Sequence, residues 1–263
     1  LKRYKAETWD IMQFVFGKFN DHQLHCVIEF DNHIDENCLK KAVYMSTWVF
    51  PLVTCRFVEK HSPPYWESCN FTTDDFVKIV ETENVHEEIE KCIVQKTYTF
   101  KGPQLKINII RSNTYDCLCI IINHMLCDAA GFKDYLYIVS SIYSNLKSNP
   151  AYTPNFQISS RSVKQVLDNF GDLDKVKIFF SSSQLSKYKG DVYFTLEGDN
   201  NSSFIVIHKI TENRFKFIKK YAEETKTTIN DIVLAAYIRA LHKELHCSHI
   251  ALPCPVDLRR YIP

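Results

Sequence analysis

The apolar positions of the chain fall into blocks of two periods. Leu24 to Phe30 alternates loosely and reads as a strand; Asp35 then opens a helix to about Trp48, with Leu39, Val43 and Tyr44 on one side and Pro51 as its stop. Leu52 to Val58 reads as a second strand, and Ser62-Pro-Pro marks a loop. Val85, Ile89, Ile93 and Val94 recur at helical spacing within the acidic segment from Glu81 to Lys96. Two apolar runs, Leu105–Ile110 and Cys117–Ile122, flank the polar linker Arg111-Ser-Asn-Thr-Tyr, a hairpin signal. The second run reads as a buried strand that breaks off into Asn123, His124 and, four residues later, Asp128. Two alanines and Gly131 follow, and then Phe132, Leu136, Val139 and Tyr143 take up helical spacing. A histidine thus stands at the exit of an inner strand, just ahead of a helix, where α/β proteins tend to keep chemistry. Residues 1–20 carry an apolar cluster, Trp9 to Phe16, with no clean period.

Residues 148–160 are rich in Ser, Pro and Asn and low in charge, which places a linker there and divides the chain into 1–150 and 151–263. Beyond it, Val163–Phe170 and Asp172–Phe180 have short helical patterns and Phe204–Ile210 alternates like a strand. Thr211 caps a helix to about Thr225. Thr227-Thr-Ile-Asn-Asp caps a stronger one, Ile229 to His246, with Ile232, Ala236, Ile238 and Leu241 on its apolar face. The chain closes with a strand from His249 that runs into the polar turn Asp257-Leu-Arg-Arg. Hairpins mixed with helices predict an α/β (α+β) fold, sheets covered by helices.

Composition narrows the function more than the fold. A formal net charge of +1 leaves no excess of Lys and Arg to neutralise phosphates, so an electrostatic nucleic-acid binder is not expected. With 6 glycines and neither G-x-G-x-x-G nor G-x-x-x-x-G-K, phosphate-cradling loops are not expected either. The 10 cysteines are scattered, mostly in apolar runs and without a C-x-x-C pair, which reads as free thiols in a reducing compartment rather than a disulfide framework or a metal site. The opening LKRYKAETWD lacks the apolar core of a secretory leader, and no apolar run reaches the ~18 residues of a membrane span. The expectation is a cytoplasmic protein with no metal and no permanently bound cofactor.

His124-Met-Leu-Cys-Asp128, at a strand exit and followed by small residues and Gly131, resembles the His-x-x-x-Asp signature of the coenzyme A-dependent acyltransferase superfamily. Chloramphenicol acetyltransferase, alcohol acetyltransferases and the condensation domains of nonribosomal peptide synthetases are members. Two further stretches agree: Thr227-Thr-Ile-Asn-Asp-Ile-Val-Leu-Ala-Ala resembles the capped helix after the central crossover, and Pro255-Val-Asp-Leu-Arg-Arg resembles the strand-end segment whose arginine pairs with the motif aspartate. The resemblance implies a chloramphenicol acetyltransferase-like mixed sheet. Residues 1–150 would be the first half, and 151–263 the crossover linker and start of a second half that is truncated.

The resemblance also implies a mechanism. His124 would act as general base on a hydroxyl or amine of a small-molecule acceptor, which attacks the thioester of an acyl-coenzyme A or an acyl carrier protein. An imidazole, with an unperturbed pKa near ~6.5, can take and return a proton at neutral pH. Asp128 would be structural and paired with Arg259. Asn123, Ala129 and Gly131 would line the site. Two positions depart from the pattern: many members carry a histidine where this chain has Asn123, and a glycine where it has Ala129. The alternative expectation is a non-catalytic docking or condensation-like module of the same fold, or an inactive fragment. An imidazole that faces a cleft, with its second nitrogen bonded within its own loop, favours catalysis over that alternative.

Overall fold

The structure is a computed structural model that describes residues 1–18, 21–156, 160–162, 164–181, 204–246, 250, 252 and 257. Two compact units, Leu1–Val166 and Leu167–Pro263, divide the chain.

The first unit opens with β1 (Arg3–Lys5) and α1 (Thr8–Phe16), followed by β2 (Gln23–Glu29) and α2 (Glu36–Val49). A 3-10 turn, Pro51–Thr54, leads into β3 (Cys55–Val58) and β4 (Tyr65–Ser68). Then come α3 (Thr73–Phe76), β5 (Val77–Glu81), α4 (Val85–Ile93), β6 (Leu105–Arg111), β7 (Asp116–Asn123) and α5 (Ala129–Ser148). Four strands form the main sheet in the order β2-β7-β6-β5, and β1-β4-β3 form a smaller one. β7 is antiparallel to both neighbours, with Gln23 opposite Asn123 on one side and Leu105 opposite Ile122 on the other. β5 and β6 run parallel and are joined across α4.

All eight residues of β7 are buried. Leu118, Ile120 and Ile122 alternate onto the face shared with Leu105, Ile107 and Ile109, and α2 and α5 cover that side through Val43, Tyr135, Val139 and Ile142. Cys117, Cys119 and Ile121 point the other way, beneath the Ile89 and Cys92 side of α4. A strand covered on both faces needs apolar residues at every position, which accounts for the unbroken run in the sequence. The hairpin expected between 110 and 117 is present and is clamped by Arg111, whose Nε and Nη2 donate to the two carboxylate oxygens of the fully buried Asp116 at 2.9 and 2.8 Å.

The structure corrects the expected strand from Leu52 to Val58. Pro51 fixes the φ of a 3-10 turn through Thr54, and the strand begins only at Cys55. The cluster at 9–16 is a helix with an unusual interior: its buried residues are Asp10 and Gln13, while Ile11, Met12, Val15 and Phe16 are partly exposed. With polar residues turned inward, no apolar period can announce it. Tyr152 and Phe156 of the Ser/Pro/Asn-rich stretch pack against the core of the first unit.

A short helix, α6 (Lys164–Leu167), precedes the second unit's α7 (Asp172–Ser181), α8 (Glu212–Thr225) and α9 (Ile229–Leu245). α8 ends at Lys226, which adopts left-handed backbone at φ 53°, and α9 starts with a reciprocal Thr228–Asp231 capping box. The strand expected at 204–210 does not form. Phe204 and Val206 are 83% and 78% exposed, and no described strand pairs with them; alternation alone cannot hold an extended segment without a neighbour to share its hydrogen bonds. Most of the closing segment from His249, Arg259 included, lies outside the described residues.

Candidate active site

β7 hands over to α5 through one tight turn, residues 124–127, and the candidate chemistry sits in it. Asn123, the last strand residue, is fully buried. Its Nδ2 donates to the Gln104 side-chain oxygen at 2.8 Å and to Thr99 Oγ1 at 3.1 Å, and its Oδ1 accepts from the Met125 N–H at 3.0 Å. The Gln104 amide in turn donates to the carbonyls of Cys55, Tyr98 and Thr99. The residue before His124 is therefore a structural hub that ends the strand and starts the turn, its side-chain polar atoms engaged by Gln104, Thr99 and Met125.

His124 is held from three directions. Its backbone N–H donates to the His22 carbonyl at 2.8 Å, continuing the β2–β7 ladder by one residue. Its carbonyl accepts from the Trp9 indole N–H at 3.1 Å, and the Trp9 ring lies 5.6 Å from the imidazole, tilted by 50°. Its Nδ1 lies 2.8 Å from the Cys127 carbonyl. A carbonyl can only accept, so Nδ1 carries the proton and Nε2 of the neutral ring keeps the lone pair. His124 as a whole residue is half-buried.

Asp128 caps α5: its Oδ1 accepts from the Gly131 N–H at 2.8 Å, and its carbonyl accepts from Phe132 N–H at 2.8 Å. Ala129, exposed, and Gly131, half-buried, occupy the first turn of the helix beside the motif. The expected partner Arg259 lies outside the described residues. Cys127 contributes its carbonyl to the site and packs its side chain against the core. No group of three or more His, Cys, Asp or Glu that could hold a metal ion occurs among the described residues.

Five residues of this neighbourhood escaped the sequence reading. Trp9 and Asp10 lie in α1, the helix without an apolar period. His22 stands directly across the ladder from His124, and burial, outweighing the nearby Asp21 carboxylate, pushes its pKa down. Gly17 makes room for its ring, since a Cβ there would lie 2.5 Å from His22 Nδ1. Arg161, from the stretch after α5, donates through Nη2 to the carbonyls of Met125 and Leu126 at 3.1 and 2.9 Å and to Asp10 Oδ1 at 2.6 Å. The only signals were two solitary charges, Asp10 among apolar residues and Arg161 in a low-charge segment. An open cavity of about 400 Å³ lined by Glu83, His86 and Tyr115 sits at the opposite end of β7 and takes no part in this arrangement.

No family profile and no curated protein sequence matches the chain. Solved structures do. The first condensation domain of the calcium-dependent antibiotic synthetase, in complex with a substrate analogue, superposes with a TM-score of 0.74 over 100% of this chain and 67% of its own length, at 11% identity. The fold is that of a condensation domain. SgcC5 from Streptomyces globisporus (TM-score 0.64, 14% identity) and the epimerization domain from the third module of tyrocidine synthetase B (0.61, 13%) share the condensation-domain fold over 92% of the chain. The chain spans 60% and 58% of those two structures. The architecture agrees with the fold implied by the resemblance that the His-x-x-x-Asp pentapeptide carries. At these identities the agreement concerns the fold.

Proposed function

We propose that this condensation-domain fold serves acyl or peptidyl transfer from a carrier-protein thioester to the amine or hydroxyl of a small-molecule acceptor, with His124 as the general base. The observation that carries the reading is the hydrogen bond from His124 Nδ1 to the Cys127 carbonyl, which leaves Nε2 as the basic nitrogen of a half-buried residue. Nε2 takes the proton of the acceptor as its nitrogen or oxygen attacks the thioester carbon. The C–S bond then breaks, and the departing thiolate recovers the proton from the imidazolium. The step needs no acyl-enzyme and no permanent cofactor.

Under the same proposal Asp128 holds the turn through its cap on α5 and through a pairing with Arg259, and Asn123, Ala129 and Gly131 shape the site. Residues 1–150 act as one half of the transfer domain and 151–263 as the crossover and beginning of the other, in a cytoplasmic protein. A carrier-protein donor is favoured over coenzyme A because the similar structures include domains of a peptide synthetase. The second reading, a non-catalytic module of the same fold, draws on Asn123, whose side chain is committed to structure where many relatives of the motif carry a second histidine.

The test is thiol release with pantetheine-linked and coenzyme A thioesters, each offered with a panel of amines and alcohols. Acceptor-dependent release that disappears in His124→Ala supports the proposal; release that persists in His124→Ala, or none with any pair, overturns it.

A further inference from the structure

We infer that Arg161 is a positioning residue for the His124 turn: it occupies the carbonyls of Met125 and Leu126 so that the next one, Cys127, remains for the imidazole. This rests on the general-base reading of His124. Met125 and Leu126 are buried between β7 and α5, and a buried carbonyl without a donor is costly enough that the turn would rearrange to find one. Arg161 supplies both bonds from a single guanidinium nitrogen, at 3.1 and 2.9 Å. The third carbonyl in the series, that of Cys127, accepts from Nδ1 of His124. Release of the first two would free the turn to compete for that proton and with it the tautomer.

The guanidinium is fixed in place rather than resting there. Asp10 is fully buried and grips it at both ends, Nη2 to Oδ1 at 2.6 Å and Nη1 to Oδ2 at 3.3 Å. The carboxylate also accepts from the Trp66 indole at 2.8 Å and from the Glu7 N–H at 3.0 Å. The Phe50 ring lies 5.9 Å from the guanidinium carbon. A planar fork with five donors can serve two carbonyls and a carboxylate together, which an ammonium cannot do in one geometry. Asp10 belongs to the same helix as Trp9, the residue that bonds the His124 carbonyl, so α1 holds the turn at two points.

The experiment uses the whole protein with ¹⁵N-labelled histidine, the His124 signal being identified by its loss in His124→Ala. In the parent, His124 should appear as a single Nδ1–H tautomer. In Arg161→Gln we expect a tautomer mixture and a fall in turnover on the order of 100-fold with a smaller change in KM. Arg161→Lys should recover part of both. Arg111→Gln, which breaks the buried pair at the far end of β7, is the control: it should lower the melting temperature and leave the tautomer alone. The inference is overturned if Arg161→Gln keeps one tautomer and its turnover, or if Arg111→Gln disturbs His124 equally. Should Arg161→Gln fail to fold, Asp10→Asn gives the same reading by loosening the anchor. A parent without turnover whose tautomer still depends on Arg161 would sink the general-base reading and leave the positioning role standing.

Discussion

The Cys127 carbonyl accepts a hydrogen bond from Nδ1 of His124 at 2.8 Å, three residues away in the same turn. That one bond decides which nitrogen of the ring is basic. On the Cys127 side it uses only the backbone carbonyl, so it does not call for a particular side chain at 127.

Under the proposed role of His124, its removal should separate activity from stability. His124→Ala is expected to cut thioester turnover by roughly 10²–10⁴-fold, the usual contribution of a positioned proton acceptor. Its melting curve should stay within a few degrees of the parent, because the backbone bonds to His22 and Trp9 do not involve the imidazole. Thiol release and circular dichroism melts measure the two.

Asn123→Ala should do the reverse. It strips a donor from Gln104 and Thr99 and an acceptor from Met125 in a fully buried site. Each buried group left unpaired costs about 1–3 kcal/mol. Chemical denaturation should show a clear loss of stability; an unchanged midpoint would remove Asn123 as the hub of the turn.

The Arg111–Asp116 pair sets an acid limit. Burial pushes the Asp116 carboxyl up, but hydrogen bonds from Arg111 and from the Ile34 N–H outweigh it and hold the carboxyl below its ordinary value. A depressed carboxyl contributes stability that is present above the unfolded pKa, near ~3.9, and is lost as the pH falls through the folded value. Melting temperature should thus decline on acidification below about pH 4, and the decline should be shallower in Asp116→Asn.

His22 and His25 act earlier on the same axis. Burial lowers both, against the raising effect of Asp21. Below the unfolded value of about 6.5 the unfolded chain binds protons that the folded one resists, so stability drops as the pH falls from there. His22→Gln should flatten the slope of melting temperature between roughly pH 6.5 and 5. An identical slope in the variant would mean that His22 titrates normally.

The sequence made the middle of the sheet legible and its margins obscure. β7, the 110–117 hairpin and α5 could be read because a strand covered on two faces and a long amphipathic helix impose patterns over many residues. β1, β4 and β5 are three to five residues long, too short for a period to emerge. α1 was hidden for a different reason: it turns Asp10 and Gln13 inward because Arg161 and Trp66 supply partners for that carboxylate from other segments. No local pattern encodes a partner about 150 residues away along the chain. At the site, His124 stood out by its place after an apolar run, whereas His22 gained meaning only from strand pairing. The alternation at 204–210 misled because periodicity reports a capacity to pair and says nothing of whether a neighbour is there.

The pairing of Gln23 with Asn123, and with it the His22–His124 contact, is a matter of strand register. Strand side chains alternate, so a slip of one residue between β2 and β7 would turn His22 away from His124 and carry the Leu24, Cys26 and Ile28 set to the opposite face. The register that sets Gln23 opposite Asn123 is therefore what keeps His22 across from His124 and the Leu24, Cys26 and Ile28 set on its own face.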